Sequence, residues 1–81
     1  MIIMSLTQAI FKDAPDWVKS AATDEDGKVF GYECEVYWLG FEEDAGYWFS
    51  RHEDLKLAVL ISSKCEVSDW KNSAIDREVS A

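Results

Sequence analysis

The side chains of this 81-residue chain best suited to chemistry are Cys34, His52, Cys65 and sixteen carboxylates, and their spacing decides which chemistry is open to them. A zinc site would have to combine Cys34, His52, Cys65 and a carboxylate, without the paired short spacings that mark such sites. Asp24-x-Asp26 opens like a calcium loop, but its sixth position falls on Val29, where the sharp turn needs glycine. A β-turn is the better reading. Nucleophilic catalysis would need Cys34 or Cys65 beside His52, yet Cys34 lies between Tyr32 and Val36, where a thiol is ordinarily inert core filling. His52, next to Glu53 and Asp54, reads as a surface residue. Glu33 and Glu35, as same-face neighbours on a strand, would stand about 6.6 Å apart. An exposed strand face offers nothing to drive their pKa values apart. The four glycines are scattered, so no phosphate-cradling loop is present. The expectation is a protein that is not an enzyme, with no catalytic, metal-binding or cofactor-binding residues.

Charge is more informative than any of these motifs. The net charge is −8. Residues 24–54 hold ten acids, Asp24, Glu25, Asp26, Glu33, Glu35, Glu42, Glu43, Asp44, Glu53 and Asp54, against Lys28 and Arg51. That stretch alone carries −8, and the remaining residues balance at six acids and six bases. This sign argues against a phosphate-tracking nucleic-acid binder and against docking on anionic lipid. Its natural complement is a basic protein surface.

The elements that must position these acids follow from pattern. The length is that of one domain, residues 1–81, and a composition with four Trp, four Phe and three Tyr argues against disorder. No run approaches the roughly 20 apolar residues that span a bilayer. Met1-Ile2-Ile3-Met4 has no basic flank and too short an apolar run for a signal peptide, and Met4 reads as an alternative start. Cys34 and Cys65 are expected to be reduced, buried and cytoplasmic. Ser5-Leu6-Thr7-Gln8 has the form of a capping box, predicting a short helical turn through Ile10. Pro15 begins a further turn. Ser20 to Thr23, an Asp-Gly turn at 24–27 and a strand from Lys28 read as a hairpin. In that second strand Phe30, Tyr32, Cys34, Val36 and Trp38 alternate with Val29, Gly31, Glu33, Glu35, Tyr37 and Leu39, which predicts one half-buried strand through to Leu39. Gly40 to Gly46 reads as a polar connection, Tyr47 to Ser50 as a third strand and Leu57 to Ile61 as a fourth strand or a buried helical turn. The tail from Asp69 to Glu78 has weak helical propensity. The fold class expected is α+β, a small twisted antiparallel sheet of three to four strands with short helical turns. Its expected core is Trp17, Phe30, Tyr32, Val36, Trp38, Trp48, Val59 and Trp70.

Phe11, Pro15-Asp16-Trp17-Val18, Ala21-Ala22, Asp24 and Asp26-Gly27, with the aromatic strand that follows, resemble a recurring set of small phage and prophage proteins. Asp69-Trp70-Lys71-Asn72-Ser73 with Asp76-Arg77 is similar to the ending of the same set, which continues into proline where this chain has Glu78. The resemblance covers roughly residues 5–36 and 67–78. It implies a phage origin and residence in the bacterial cytoplasm, and it brings no catalytic residues with it. Its motif residues are of the types that build a hairpin and its core.

Together these readings predict a non-enzymatic phage inhibitor of a host nucleic-acid-handling protein, of the anti-CRISPR or anti-restriction kind. The ten acids would form one stripe along a strand roughly 36 Å long, near the 34–36 Å of a turn of duplex DNA. The partner would be a basic host defence protein, with no direct contact to nucleic acid or membrane, and the chain a monomer or homodimer. A second reading places the binding surface on aromatic residues, with Tyr37, Leu39, Tyr47 and Phe49 forming an exposed patch or seeding a homodimer through an edge strand.

Overall fold

The computed structural model describes residues 6–63 and 69–78. Among the described residues six strands form two antiparallel sheets: β1 (Ser20–Thr23), β2 (Val29–Tyr32), β3 (Leu39–Glu42), β4 (Tyr47–Ser50), β5 (Ala58–Ser62) and β6 (Ile75–Asp76). One sheet has the order β5-β2-β1-β6, and β3 pairs with β4 in a separate ribbon. The helical component among the described residues is three short 3-10 turns, Gln8–Phe11, Val36–Trp38 and Trp70–Asn72. Residues 57–61, which pattern left open between strand and helix, are mostly β5. Ser5 and Cys65, on which a helix cap and a buried thiol were expected, lie outside the described residues.

The central strand β1 is buried at every position, and its sequence, Ser-Ala-Ala-Thr, explains how. Small side chains let both faces of the sheet be covered closely. On one face Ala21 and Val29 pack with Phe11 and Val18 from the N-terminal segment, joined by Val59, Ile61 and Ile75. On the other, Ala22, Tyr32 and Cys34 pack with Leu39, Trp48 and Val36. The molecule is therefore three layers, with the N-terminal segment and the β3–β4 ribbon on opposite sides of the four-stranded sheet. Gly31 permits the first contact, since a Cβ there would lie 2.7 Å from Val18 Cγ1 and 2.8 Å from Ile61 Cδ1.

The tail closes the structure. β6 pairs with β1, and Arg77 donates from its guanidinium to the carbonyls of Pro15 (2.9 Å), Val18 (3.0 Å) and Phe11 (3.2 Å) while lying over the Phe11 ring. Asp76 accepts the Val36 N–H at 2.7 Å, and Gln8 bridges the backbone of Asp76 and Glu78. Ser73 Oγ, two residues before β6, accepts the Thr23 N–H at 2.8 Å and so extends the contact with β1 past its pairing with β6. Residues of the N-terminal segment and the tail thus hold the strands together.

The single long strand is corrected. β2 ends at Tyr32: Glu33 still donates its N–H to Leu57 O, but the Leu57 N–H bonds the Glu33 carboxylate, the Cys34 carbonyl accepts the Ser20 hydroxyl and Val36 enters a 3-10 turn. Inward and outward alternation persists through Val36, which is why the pattern read as one strand. The 3-10 turn then shifts the phase by one residue, so Leu39 is buried and Trp38 faces out. Of the expected core, Tyr32 and Trp70 are buried, and Phe30, Val36, Trp48 and Val59 pack half-buried against the two clusters. Trp17 and Trp38 are exposed.

Candidate functional site

Two acidic turns meet at one end of the molecule. The first, residues 24–28, joins β1 to β2: Gly27 has φ +91°, its N–H reaches Asp24 O at 3.0 Å, and Asp26 Oδ1 accepts the Lys28 N–H at 3.0 Å. The second, residues 43–46, joins β3 to β4 and is closed by the Gly46 N–H on Glu42 O at 2.8 Å. The Glu25 N–H donates to Gly46 O at 2.8 Å, so the turns of the two sheets are bonded backbone to backbone. Gly46 is required there twice over. Its φ of +78° disfavours any side chain, and a Cβ would lie 2.9 Å from Glu25 Cβ.

Asp24 fastens the ribbon to the sheet. Trp48 pairs with Phe41 across the ribbon but turns its own N–H and carbonyl outward, along the edge of β4 that no strand covers. Asp24 Oδ1 accepts that N–H at 2.8 Å, and the Tyr32 hydroxyl donates to that carbonyl at 3.2 Å. Two side chains from the sheet thereby satisfy an edge that would otherwise be buried unpaired. Asp24 is only 8% exposed. Burial raises its pKa above the usual 3.8, opposed by the Trp48 N–H and reinforced by neighbouring Asp26. Burial raises the Tyr32 pKa as well, with the Asp24 charge adding to it. Asp24 belongs to the framework beneath the acidic turns, whereas Glu25, Asp26, Glu42, Glu43 and Asp44 stand in solvent.

The other four predicted acids lie elsewhere. The register Ser20↔Tyr32 and Thr23↔Val29 puts Glu33 and Glu35, which follow Tyr32, at the end of the hairpin away from the acidic turns. Glu33 Oε1 accepts the Leu57 N–H at 3.1 Å. Glu35 borders an open groove of about 550 Å³ with Asp16, Lys19, Asp76, Arg77 and Glu78. Glu53 and Asp54 lie in the loop after β4, where Leu39↔Ser50 marks the far end of the ribbon. The structure gathers six of the ten acids around two adjoining turns, and the single continuous stripe is corrected along with the strand that was to carry it.

The ribbon also sorts the aromatic residues. Leu39, Phe41, Trp48 and Ser50 share one face, toward the sheet and Trp70, with the Phe41 and Trp70 rings 5.5 Å apart. Gly40, Glu42, Tyr47 and Phe49 share the opposite face, where Tyr47 is 46% and Phe49 38% exposed and their rings stand 6.2 Å apart. Tyr37 is 76% exposed, and its carbonyl accepts from Arg51 at 2.8 Å. Three of the four residues of the aromatic reading are therefore on the surface, and Leu39 belongs to the core.

No protein-family model, curated protein or solved structure matches the chain.

The remaining chemical side chains have local partners. His52 Nδ1 accepts the backbone N–H groups of Asp54 and Leu55, both at 3.0 Å, and its ring packs on Trp38 at 4.7 Å. Cys34 is buried, with Sγ 3.4 Å from Ser50 Oγ, and that hydroxyl donates to Leu55 O at 2.8 Å. Among the described residues no group of three or more His, Cys, Asp or Glu side chains is arranged to hold a metal ion. Nor is any described helix long and apolar enough to cross a membrane. The Ser73 and Arg77 anchors have no signal in residue type or spacing.

Proposed function

We propose that the protein is a non-enzymatic, phage-encoded inhibitor that binds a basic, nucleic-acid-handling protein in the bacterial cytoplasm through its paired acidic turns. The observation that carries this reading is the Glu25–Gly46 backbone bond, which unites the charge of two separate hairpins. Around it Glu25, Glu42 and Asp44 make no ion pair among the described residues, while Asp26 and Glu43 hold Lys28 (3.6 Å) and Lys71 (2.9 Å) in exposed pairs. Like charges crowded at a surface repel one another and add nothing to stability, so folding does not account for their placement. The resemblance to small phage proteins supplies the expected setting. Six of the ten acids adjoin the Glu25–Gly46 bond on a body measuring 34 × 29 × 18 Å, an arrangement that suits insertion into a basic cleft better than alignment along a channel.

The test is inhibition of a CRISPR effector or restriction nuclease by two matched variants. Reversing Glu25, Glu42 and Asp44 to Lys should abolish inhibition, while reversing Glu53 and Asp54 at the far end should leave most of it. Full inhibition by a folded turn variant would overturn the reading.

The exposed Tyr47 and Phe49 favour a second reading, in which an aromatic face makes the contact. Exposed charges are screened within about 8–10 Å, so a charge-driven complex weakens steeply with salt and an aromatic one barely responds.

A further inference from the structure

Between the two acidic turns lies a cleft of about 320 Å³ bounded by Glu25, Asp26, Lys28, Phe30, Gly46 and Tyr47. Its walls differ in chemistry. The turn at 24–28 contributes acidic residues, while β2 and β4 contribute the aromatic residues Phe30 and Tyr47. A cation already lies along the acidic wall, the Lys28 ammonium at 3.6 Å from Asp26 Oδ2, in a pair whose side chains are both more than half exposed. Such a pair is weak and exchangeable.

From this geometry we infer that the cleft seats an arginine side chain of the basic partner, with its guanidinium flat against Tyr47 and its N–H groups on the Glu25 and Asp26 carboxylates. The inference rests on the binding function proposed above and names the partner residue that its acidic turns take. A planar, weakly hydrated cation fits a site with one charged and one aromatic wall, because it stacks through its face and donates through its edge. A lysine ammonium is a strongly hydrated point charge that cannot do both. Phosphate is repelled by the same carboxylates. A second copy of this chain is disfavoured too, since a two-fold contact through the cleft would set acid against acid. The charge of −8 over the whole chain makes a cationic protein segment the complementary occupant.

The probes are a short Arg-Gly-Ser repeat peptide and its Lys-Gly-Ser counterpart, titrated into the full-length isotope-labelled protein and followed by amide chemical shifts. The arginine peptide should perturb residues 25–28 and 46–49 and bind more tightly than the lysine peptide. Tyr47→Ala should weaken the arginine peptide about three-fold, bringing it to the level of the lysine peptide. Tyr47→Leu, which keeps apolar bulk on the ribbon, should do the same if the alanine variant loosens the fold. Equal affinity for the two peptides, no effect of either Tyr47 variant, or shifts centred on the Glu35 groove would overturn the arginine seat. If reversing Glu25, Glu42 and Asp44 weakens both peptides while the Tyr47 variants change neither, the seat fails and the acidic-turn function stands. If the reversed variant binds both peptides as the parent protein does, the two fall together.

Discussion

The acids at the two ends of the β1–β2 hairpin are used differently. Beyond Tyr32, Glu33 accepts a backbone N–H from Leu57, Asp76 accepts one from Val36, and Arg77 spends its donors on three carbonyls of the N-terminal segment. Glu33, Asp76 and Arg77 at that end join distant parts of the chain, while Glu35 stands exposed at an open groove. At the turn end Asp24 is buried and bonded to a second hairpin, Asp26 bonds only within its own turn, and Glu25, Glu42, Glu43 and Asp44 stand in solvent at the junction. Carboxylates that join distant parts of the fold are partnered by backbone, and the proposed binding function draws on exposed ones that are not. Sequence position alone does not separate the two kinds, since Glu33 and Glu42 look alike in the chain.

The largest effect should come from the structural end. Arg77→Ala leaves the Val18 carbonyl and the Phe11 ring without their cation and should cost about 2–4 kcal/mol in urea denaturation. Arg77→Lys should recover little, because one ammonium cannot replace a fork that reaches three carbonyls. A loss under about 0.5 kcal/mol, the range of ordinary surface changes, would remove the distinction between the ends.

Gly46→Ala tests the junction itself. The strained φ and the contact with Glu25 should together cost about 1–3 kcal/mol, and the amide signals of Glu25 and Gly46 should shift as the turns separate. Inhibition should fall with every acid still in place. Retained inhibition with shifted turn signals would show that the pairing of the turns is irrelevant to binding.

Asp24 gives a paired substitution. Asp24→Ala strands the Trp48 N–H and should cost about 1–3 kcal/mol, whereas Asp24→Asn keeps an acceptor and should lie close to the parent or above it at neutral pH. The sign with pH follows from the raised pKa. The folded state binds the proton more readily than the unfolded chain, so the cost of burying the charge is present at neutral pH. That cost is relieved as pH falls through the raised value, and the relief is complete below the usual 3.8. Stability of the parent relative to Asp24→Asn, followed by urea titration from neutral pH downward, should therefore rise. A fall would mean that the Trp48 hydrogen bond outweighs burial.

The smallest effect on stability belongs to the exposed acids. Replacing Glu25, Glu42 and Asp44 by Lys should leave the denaturation midpoint within about 0.5 kcal/mol of the parent or raise it slightly, by relieving repulsion. A large loss would class these acids with Glu33.

Local signals were legible in the sequence where local chemistry determines the outcome. The Asp-Gly turn, the small residues of β1, the aromatic strand at Tyr47 and the apolar strand near Val59 all carry their own evidence in residue type. What could not be read is set by long-range contact. The break after Tyr32 leaves the alternation of Cys34 and Val36 intact, because both still face the same core, so the pattern continued past the end of its strand. β3 was concealed by Gly40 and Glu42, which lie on the outer face of a ribbon whose inner face is only two residues deep. Of the candidate site, the acid-rich segment was visible, but its gathering into one junction depends on a hydrogen bond between residues 25 and 46 that no spacing encodes. The core expectation for Trp17 follows from residue type and that for Trp38 from the alternation that the 3-10 turn at Val36–Trp38 breaks, and both lie at the surface.

The most direct measurement is the ionic-strength dependence of complex formation with the proposed target, a CRISPR effector or restriction nuclease, compared for the parent, the Glu25/Glu42/Asp44 reversal and the Glu53/Asp54 reversal. The account predicts that the parent and the far-end variant lose affinity together and steeply as salt rises, while the turn variant starts weak and responds little. Affinity that is flat with salt, or equal losses from the two reversals, would contradict it.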